Sequence, residues 1–253
     1  MKQCAFCLKR ATMTGEHVWS AWMGRLFNAN DYRVTTLDSK GVYHQSVARS
    51  LNLKAHVVCK DCNSGWMSDL EEQEAKPTMR EMILHAAPIS LLPSGIAAIT
   101  AFTFKCAVVA DHERPSRGKP FFPHHIRLRF SRTLEIPVGV QIWISALHRA
   151  QGLGGRFTAH YMKIHDGRYK GFQLYSFTYL IGALVLQLTA SRWMSIAKRP
   201  NFTPRLTQNS RWDCVSVPLW PNDGAPVSFP PEKYLGTDTI KIFAERWSRI
   251  SQV

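Results

Sequence analysis

Two Cys-x-x-Cys pairs, Cys4/Cys7 and Cys59/Cys62, flank an acidic residue and a histidine near the N-terminus. Four thiolates satisfy the tetrahedral preference of zinc and leave no coordination position open, so a site of this kind is structural. In small modules such a site contributes about 10–16 kcal/mol to folding. The spacing therefore predicts a structural Zn2+ site. An iron–sulfur cluster, which also accepts four cysteines, is the alternative.

Three further residues carry the groups that hydrolysis of a phosphodiester needs. Glu16 and His17 are adjacent, and Asn63 directly follows the last cysteine. An imidazole titrates near neutral pH and can take a proton from an attacking water. A carboxylate and an amide carbonyl offer the oxygen ligands that Mg2+ prefers, and a divalent cation offsets charge on the scissile phosphate. Because zinc would draw the two cysteine pairs together, we expect His17 and Asn63 to lie close to one another.

The segments Cys4-x-x-Cys7, Glu16-His17-Val18 and 58–63 (VCKDCN) resemble the HNH endonuclease family, which has the ββα-metal fold. The resemblance covers residues 1–75. It implies that His17 is the general base, that Glu16 and Asn63 hold a catalytic Mg2+ or Mn2+, and that the cysteines place the chain in the zinc-bearing subset. It also implies DNA as substrate and a bacterial or phage setting in restriction, defence or DNA packaging. Asp is more usual than Glu at the acidic position, and His is common where Asn63 stands.

Local patterns predict the elements that would position these residues. Tyr32–Leu37 and Val42–Val47 are predicted strands joined by a turn, and Asn52–Val58 is a predicted strand leading into the third cysteine. Apolar residues at helical spacing predict a helix after the fourth cysteine, Pro77 predicts its end, and Met79–Ala87 is a second predicted helix.

The first of these helices carries an acidic group of residues. The simpler interpretation is a solvated face. In the alternative, Glu71, eight positions after Asn63, supports the catalytic metal through water. The group consists of Glu71, Glu72 and Glu74.

Beyond residue 77 the sequence predicts a mixed region without a recognised catalytic motif. The apolar stretch Ile96–Val109 predicts a buried helix. Pro123–Leu134 repeats apolar residues every four positions and predicts a second helix, with its arginines pointing largely to solvent. Strands are predicted at 141–147, 156–164 and 172–188, and a closing helix at 239–249.

The positive charge lies mostly in this second region. The chain has a formal net charge of +14, from 32 Lys/Arg and 18 Asp/Glu. Residues 1–75 hold 9 basic and 8 acidic residues, which leaves 32 − 9 = 23 basic and 18 − 8 = 10 acidic residues beyond them. Such an excess favours a polyanionic partner, nucleic acid first, although a solubilising surface is the simpler alternative. The candidate phosphate contacts are Arg114, Arg117, Lys119, Arg127, Arg129 and Arg132.

Together these patterns predict an α+β protein with two domains. Residues 1–76 would form a ββα-metal (HNH) nuclease domain with the zinc site, and residues 77–253 a basic α+β domain that docks nucleic acid, forms a homo-oligomer or binds a partner protein. The N-terminus lacks the apolar core of a secretory signal, and the longest apolar stretch noted, 177–188, is too short to span a bilayer, so we expect a cytoplasmic protein without a membrane partner.

The expected function is metal-dependent cleavage of DNA. A non-catalytic zinc-stabilised nucleic-acid-binding protein is the main alternative, and an interaction module or an RNA-directed nuclease is a third possibility.

Overall fold

The computed structural model describes residues 1–27, 32–37, 43–48, 54–113, 119–148, 155–163, 171–193 and 208–246. Over these residues the chain is a mixed α/β protein, which agrees with the predicted class at that level. The predicted turn at 38–41 and the predicted phosphate contacts Arg114 and Arg117 lie outside the described residues.

The N-terminal part consists of short antiparallel strand pairs. The elements in chain order are β1 (Lys2–Gln3), β2 (Arg10–Ala11), β3 (Met13–His17), α1 (Ala21–Gly24), β4 (Tyr32–Leu37), β5 (Tyr43–Ala48) and β6 (Lys54–Cys59). The antiparallel pairs are β1 with β2, β3 with β6, and β4 with β5. The three strands predicted here are confirmed, with ends that differ by at most two residues.

The chain is helical from the end of β6 to His85, apart from a kink at Gly65, where φ is −99° and ψ is −121°. α2 (Lys60–Cys62) continues through two wider, π-helical segments, Asn63–Met67 and Leu70–Ala75, into α3 (Lys76–His85). The break predicted at Pro77 is therefore wrong. Pro77 lies at the start of α3, where the helix changes from π to α geometry, and the chain stays helical through it.

A long buried helix forms the centre of the molecule. β7 (Ile89–Leu91) precedes α4 (Pro93–Glu113), and the buried helix predicted at Ile96–Val109 is confirmed. By length and composition α4 could cross a membrane, which the sequence analysis did not anticipate. However, 78% of its most apolar window is buried inside the protein, and such burial is also typical of a core helix.

A five-stranded antiparallel sheet packs against α4. The sheet has the strand order β12-β8-β11-β10-β9, and α4 contacts β9, β11 and β12. The remaining elements are α5 (His124–Thr133), β8 (Val140–Ala146), β9 (Gly155–Lys163), β10 (Phe172–Ile181), β11 (Leu184–Trp193), a 3₁₀ turn (Ser210–Trp212), β12 (Ser216–Trp220), β13 (Val227–Phe229), which pairs with β7, and α6 (Thr237–Glu245).

The single strand predicted at 172–188 is a hairpin of two strands. Its turn lies at Gly182-Ala183, between β10 and β11. Gly182 has φ +55°, and a Cβ at this position would lie 2.3 Å from the carbonyl oxygen of Ile83. The adjacent Ala183 N–H donates to the same oxygen at 2.8 Å. This turn therefore needs glycine because it packs directly on the end of α3.

One hydrophobic core connects the N-terminal strands to the C-terminal sheet. Its buried members run from the first cysteine pair to Phe229. Polar contacts follow the same path, because the indole N–H of Trp19 donates to Leu180 O at 3.3 Å and the hydroxyl of Tyr179 to Met23 Sδ at 3.2 Å. The N-terminal unit is thus packed on the rest of the fold, and the division at residue 76 stays a prediction.

Candidate functional site

The first cysteine pair forms a tight knuckle between β1 and β2. The Cys4 N–H donates to Lys9 O at 3.0 Å, and the Leu8 N–H donates to Cys4 O at 3.2 Å. Leu8 has φ +63°, the left-handed conformation that lets the chain reverse directly after the second cysteine. The Ala5 N–H donates to Val57 O at 2.8 Å, so the knuckle is held against β6, the strand that carries the second pair.

The four paired cysteines meet as predicted. Their sulfur atoms all lie within 4.8 Å of one another. Cys4 Sγ is 3.8 Å from Cys62 Sγ, and Cys7 Sγ is 3.5 Å from Cys59 Sγ. A tetrahedral zinc with bonds of about 2.3 Å places its sulfurs about 3.8 Å apart, whereas a disulfide needs about 2.05 Å. All four thiols are free, and the geometry fits a structural metal such as zinc.

The surroundings of this sulfur cluster favour negative charge on one of its four thiols, Cys4. Hydrogen bonds from the Cys62 thiol and from backbone N–H groups lower the pKa of Cys4 to about 4, against the opposing effect of burial. The Cys59 N–H is one of these donors, 3.4 Å from Cys4 Sγ. The pKa of Cys62 is raised, because it shares a proton with Cys4 and is itself buried. Four adjacent thiols cannot all ionise without a cation, which is what a bound metal supplies.

The β3–β6 pair separates the predicted site residues between its two faces. Side chains alternate along a strand, so Thr14 and Glu16 share the inner face and His17 lies on the outer one. Among the described residues no hydrogen bond joins His17 to Asn63, so the expected proximity of these two residues stays a prediction. Glu16 is 4% exposed, whereas His17 is half-buried at the last position of β3. A Cβ on Gly15 would contact Lys54 and His56, which places those two residues on the same outer face as His17.

Asn63 is held against β3 by a side-chain hydrogen bond. Its Nδ2 donates to Thr14 Oγ1 at 3.0 Å, and the Thr14 hydroxyl donates to Val58 O at 3.1 Å. The first turn of the helix is thereby connected to both strands. Because the amide nitrogen is engaged in this bond, the Oδ1 atom of Asn63 is the one left for a cation or a water.

Glu16 makes a buried ion pair that the sequence analysis did not anticipate. Its Oε1 accepts a hydrogen bond from Lys105 Nζ at 2.7 Å, and the same ammonium group pairs with Glu71. Lys105 lies in the middle of α4 and is 1% exposed. Burial raises the pKa of Glu16, although the charge of Lys105 opposes this effect. The acidic face expected on the helix is correct for Glu72 and Glu74 but wrong for Glu71, which turns inward.

One sequence signal pointed to Lys105. It is a single charged residue inside the apolar stretch that predicts a buried helix, and a buried lysine needs a partner. Which carboxylates it would meet could not be read from the sequence, because Glu16 and Glu71 lie 89 and 34 positions away along the chain.

Glu16 and Asn63 together offer the kind of oxygen ligands that a second, catalytic cation needs. Glu16 supplies a carboxylate and Asn63 an amide oxygen, both from the inner face of the same small unit. Glu16 also already holds a positive charge, the Lys105 ammonium, so this position favours cations. A divalent ion at Glu16 would take the place of that ammonium.

Arg127 is not available for nucleic acid, so its prediction as a solvent-facing phosphate contact is wrong. The side chain is 7% exposed and binds backbone oxygens. Its Nε donates to Phe122 O at 3.0 Å, and its Nη1 donates to Ala5 O in the first knuckle. The guanidinium also lies near Asp111, whose carboxylate accepts the N–H groups of the loop before α5. Arg127 therefore fastens the first cysteine knuckle to α5, because helical spacing turns it to the same side as Phe130.

Replacing Arg127 with methionine should destabilise the protein by about 3 kcal/mol, because two buried carbonyl oxygens lose a charged donor. Arg129→Met is the matched control on the same helix. Arg129 is exposed and pairs with Glu135 at 2.6 Å, so its loss should cost less than about 1 kcal/mol. Unfolding in urea measures both values, and equal losses would contradict the anchoring role of Arg127.

Three predicted phosphate contacts remain at the surface. Lys119, Arg129 and Arg132 are exposed on α5 or just before it. The helix packs on the first knuckle through the ring contact between Phe6 and Phe130, whose centroids are 6.3 Å apart. The exposed basic residues of α5 are thus carried by a helix that touches the cysteine cluster.

The end of α4 beneath this helix should make stability depend on pH. Burial lowers the pKa of His112 to about 4 and raises that of Asp111 to about 6. An unfolded histidine takes up its proton near pH 6.5, before the folded one does, so His112 costs stability as pH falls from about 6.5 to about 4. Asp111 acts in the opposite direction, because its folded form binds the proton first.

His112→Asn should therefore remove an acid-side loss on the order of 2 kcal/mol. The measurement is the unfolding free energy of the wild type and the variant at pH 7 and pH 5. Effects of acid on the cysteine cluster and on Asp111 are common to both proteins and cancel in the difference. A difference that stays constant between the two pH values would contradict this assignment.

Comparison of the chain with protein-family models, with curated proteins and with solved structures found no match.

Proposed function

We propose that the N-terminal unit is a metal-dependent endonuclease that hydrolyses phosphodiester bonds in DNA. The observation that carries the proposal is the arrangement of β3, β6 and the following helix around the cysteine cluster. In this arrangement the helix begins directly after β6, and Asn63 in its first turn is hydrogen-bonded to β3. An antiparallel strand pair followed by a helix is the arrangement of the ββα-metal fold that the sequence resembles.

Each site residue has a chemical role in this proposal. His17, half-buried at the end of β3, takes the proton from the attacking water. Asn63 and Glu16 hold the Mg2+ or Mn2+ ion. The bound ion would offset negative charge on the scissile phosphate and on the leaving oxygen. The DNA strand would cross the end of β3, with His17 on one side of the phosphate and the inner face of the strand pair on the other.

The substrate would be held by the positive surface beside this unit. Lys119, Arg129 and Arg132 are exposed near or on α5, which packs on the first knuckle. Contacts of this type go to phosphates, so they give salt-dependent affinity without sequence preference. Arg114 and Arg117 remain predicted members of the same surface.

Cleavage of supercoiled plasmid by zinc-loaded protein, with and without Mg2+ or Mn2+, tests the proposal. We expect relaxed or linear DNA only when the divalent cation is present. An equal mass of competing RNA should inhibit less than competing DNA, and stronger inhibition by RNA would indicate an RNA-directed enzyme. Cleavage that is independent of added metal would contradict the proposed mechanism.

A non-catalytic, zinc-stabilised nucleic-acid-binding protein is the second candidate. The observation that favours it is the Lys105–Glu16 ion pair, because the ammonium occupies the carboxylate that the cation would need. This candidate predicts salt-sensitive DNA binding in a gel-shift experiment, together with intact plasmid in either metal.

A further inference from the structure

Lys105 is a buried cation supplied by the chain itself. Its Nζ atom contacts Glu16 and Glu71, lies 5.1 Å from the ring centroid of Phe102, and is shielded from solvent. Moving a lone ammonium from water into such surroundings costs several kcal/mol, which pairing with carboxylates offsets. The lysine is therefore retained in the core by its two acidic partners.

The two carboxylates approach Lys105 from different elements. Glu16 comes from β3, and Glu71 comes from the π-helical segment that precedes α3. The side chain of Glu71 is 15% exposed, compared with 5% for Glu16. With two negative side chains and one positive one, the cluster has a formal charge of 1 − 2 = −1 when all three are ionised. A cluster with one unbalanced negative charge attracts a further cation.

We propose that Lys105 and a divalent cation compete for Glu16, so that Lys105 sets the metal affinity of the site. This inference rests on the proposed function, which makes Glu16 a ligand of that cation. When the cation binds, Lys105 exchanges its bond to Glu16 for full pairing with Glu71. The ammonium keeps its proton throughout, and it is never left in the core without a carboxylate.

Glu71 is a positioning residue in this exchange, because it acts on the metal through Lys105. Two variants should then shift the metal affinity in opposite directions. Lys105→Met removes the competitor and should strengthen binding. Glu71→Gln removes the alternative partner of Lys105, which holds the ammonium on Glu16 and should weaken binding.

Binding of Mn2+ to zinc-loaded, full-length protein tests the proposal by electron paramagnetic resonance of the free ion. We expect Lys105→Met to bind Mn2+ about tenfold more tightly or better, since a unit charge next to a ligand is removed. Adding Glu16→Gln to that variant should abolish the gain. Lys76→Met is the control, because Lys76 pairs with Glu72 on the surface of the same helical segment and its loss should leave the affinity unchanged.

The double variant Lys105→Met/Glu71→Gln separates two roles of Glu71. If Glu71 acts only through Lys105, the double variant binds Mn2+ as tightly as Lys105→Met alone. If the double variant binds much more weakly, Glu71 is itself a ligand and its assigned role is overturned. A Lys105→Met protein with the affinity of the wild type would overturn the competition itself.

A measurement on the wild type covers the case in which Lys105→Met fails to fold. The ammonium of a buried, paired lysine gives a slowly exchanging NMR signal, which can be assigned on the wild type by its proximity to the ring protons of Phe102. Addition of Mg2+ should shift this signal as Lys105 leaves Glu16, and an unchanged signal at saturating Mg2+ would overturn the proposal. The outcomes also distinguish the two proposals. Tighter Mn2+ binding without cleavage rejects only the nuclease, and metal-dependent cleavage with unchanged Mn2+ affinity rejects only the competition.

Discussion

Replacing Cys62 with serine should release the structural metal and unfold the N-terminal unit. Cys62 is 4% exposed, and its sulfur lies 3.8 Å from that of Cys4, within the group of four that fits one zinc ion. A structural zinc contributes about 10–16 kcal/mol in small modules. A whole domain is typically stable by only about 5–15 kcal/mol, so the loss of one ligand should be enough to prevent folding of this part.

The effect should extend beyond the first residues of the chain. Val58 and Phe6 are fully buried in the same core as α4, and Arg127 binds the knuckle through Ala5. Unfolding of the knuckle would therefore expose one side of α4. We expect circular dichroism melts to show a large drop in midpoint, and metal analysis to show less than one zinc ion per chain.

Cys214→Ser provides the matched control for this experiment. Cys214 is a half-buried, free cysteine outside the cluster, so the same atom change there should leave the zinc content and the melting midpoint close to those of the wild type. A Cys62→Ser protein that retains a full zinc ion and the wild-type midpoint would rule out the four-cysteine site. If the purified protein contains iron and labile sulfide instead of zinc, the four cysteines hold an iron–sulfur cluster.

The features that could be predicted from the sequence are local ones. The cysteine spacing predicted the four-cysteine cluster because the two cysteines of each pair lie on one turn. Only one contact between distant parts of the chain, the contact between the two turns, then brings the four sulfur atoms together. The strands from Tyr32 to Cys59 and the helix around Phe102 were predicted because their periodicities are complete within a few residues. Pro77 misled the prediction because the helix continues through it from a π-helical segment, which the local sequence pattern does not reveal.

The features that could not be predicted depend on packing between distant segments. From the sequence alone, Gly182 is compatible with a continuous strand. Its close contact with the carbonyl oxygen of Ile83 is what requires a glycine at this turn. Arg127 resembles its exposed neighbours in sequence, and its bond to the carbonyl oxygen of Ala5 joins it to a residue 122 positions away. The same is true of Lys105 and Glu16. In each case a local pattern is compatible with two outcomes, and a contact between distant parts of the chain selects one.

This distinction bears on the proposed function. If Glu16 were exposed, its carboxylate would be free to bind a metal ion, and the resemblance to the family alone would describe its proposed role. Because Glu16 pairs with Lys105, the proposed binding of a metal ion at Glu16 would be an exchange of cations, with an affinity that depends on α4 and Glu71. Low affinity for Mg2+, with cleavage that needs millimolar concentrations, would therefore be consistent with this site. His17 lies on the opposite face of β3, so its role should be insensitive to that exchange.

His17→Ala should lower the rate of DNA cleavage by about 10²–10⁴-fold, the usual contribution of a general base. Because His17 is half-buried at the end of β3 and Glu16 lies on the other face, the substitution should leave Mn2+ affinity and the melting midpoint close to wild-type values. The loss should appear at saturating Mg2+ and saturating DNA. A defect that disappears at higher Mg2+ would instead indicate a role in holding the metal.

His56→Ala is the control that makes this result specific. His56 is exposed on β6, on the same outer face of the strand pair as His17, and it carries the same imidazole. His56→Ala removes the same side chain as His17→Ala does, but it leaves the end of β3 intact. A general base at His17 requires that His17→Ala be inactive while His56→Ala cleaves at nearly the wild-type rate. Equal activity of the two variants would show that the imidazole of His17 does not activate the water.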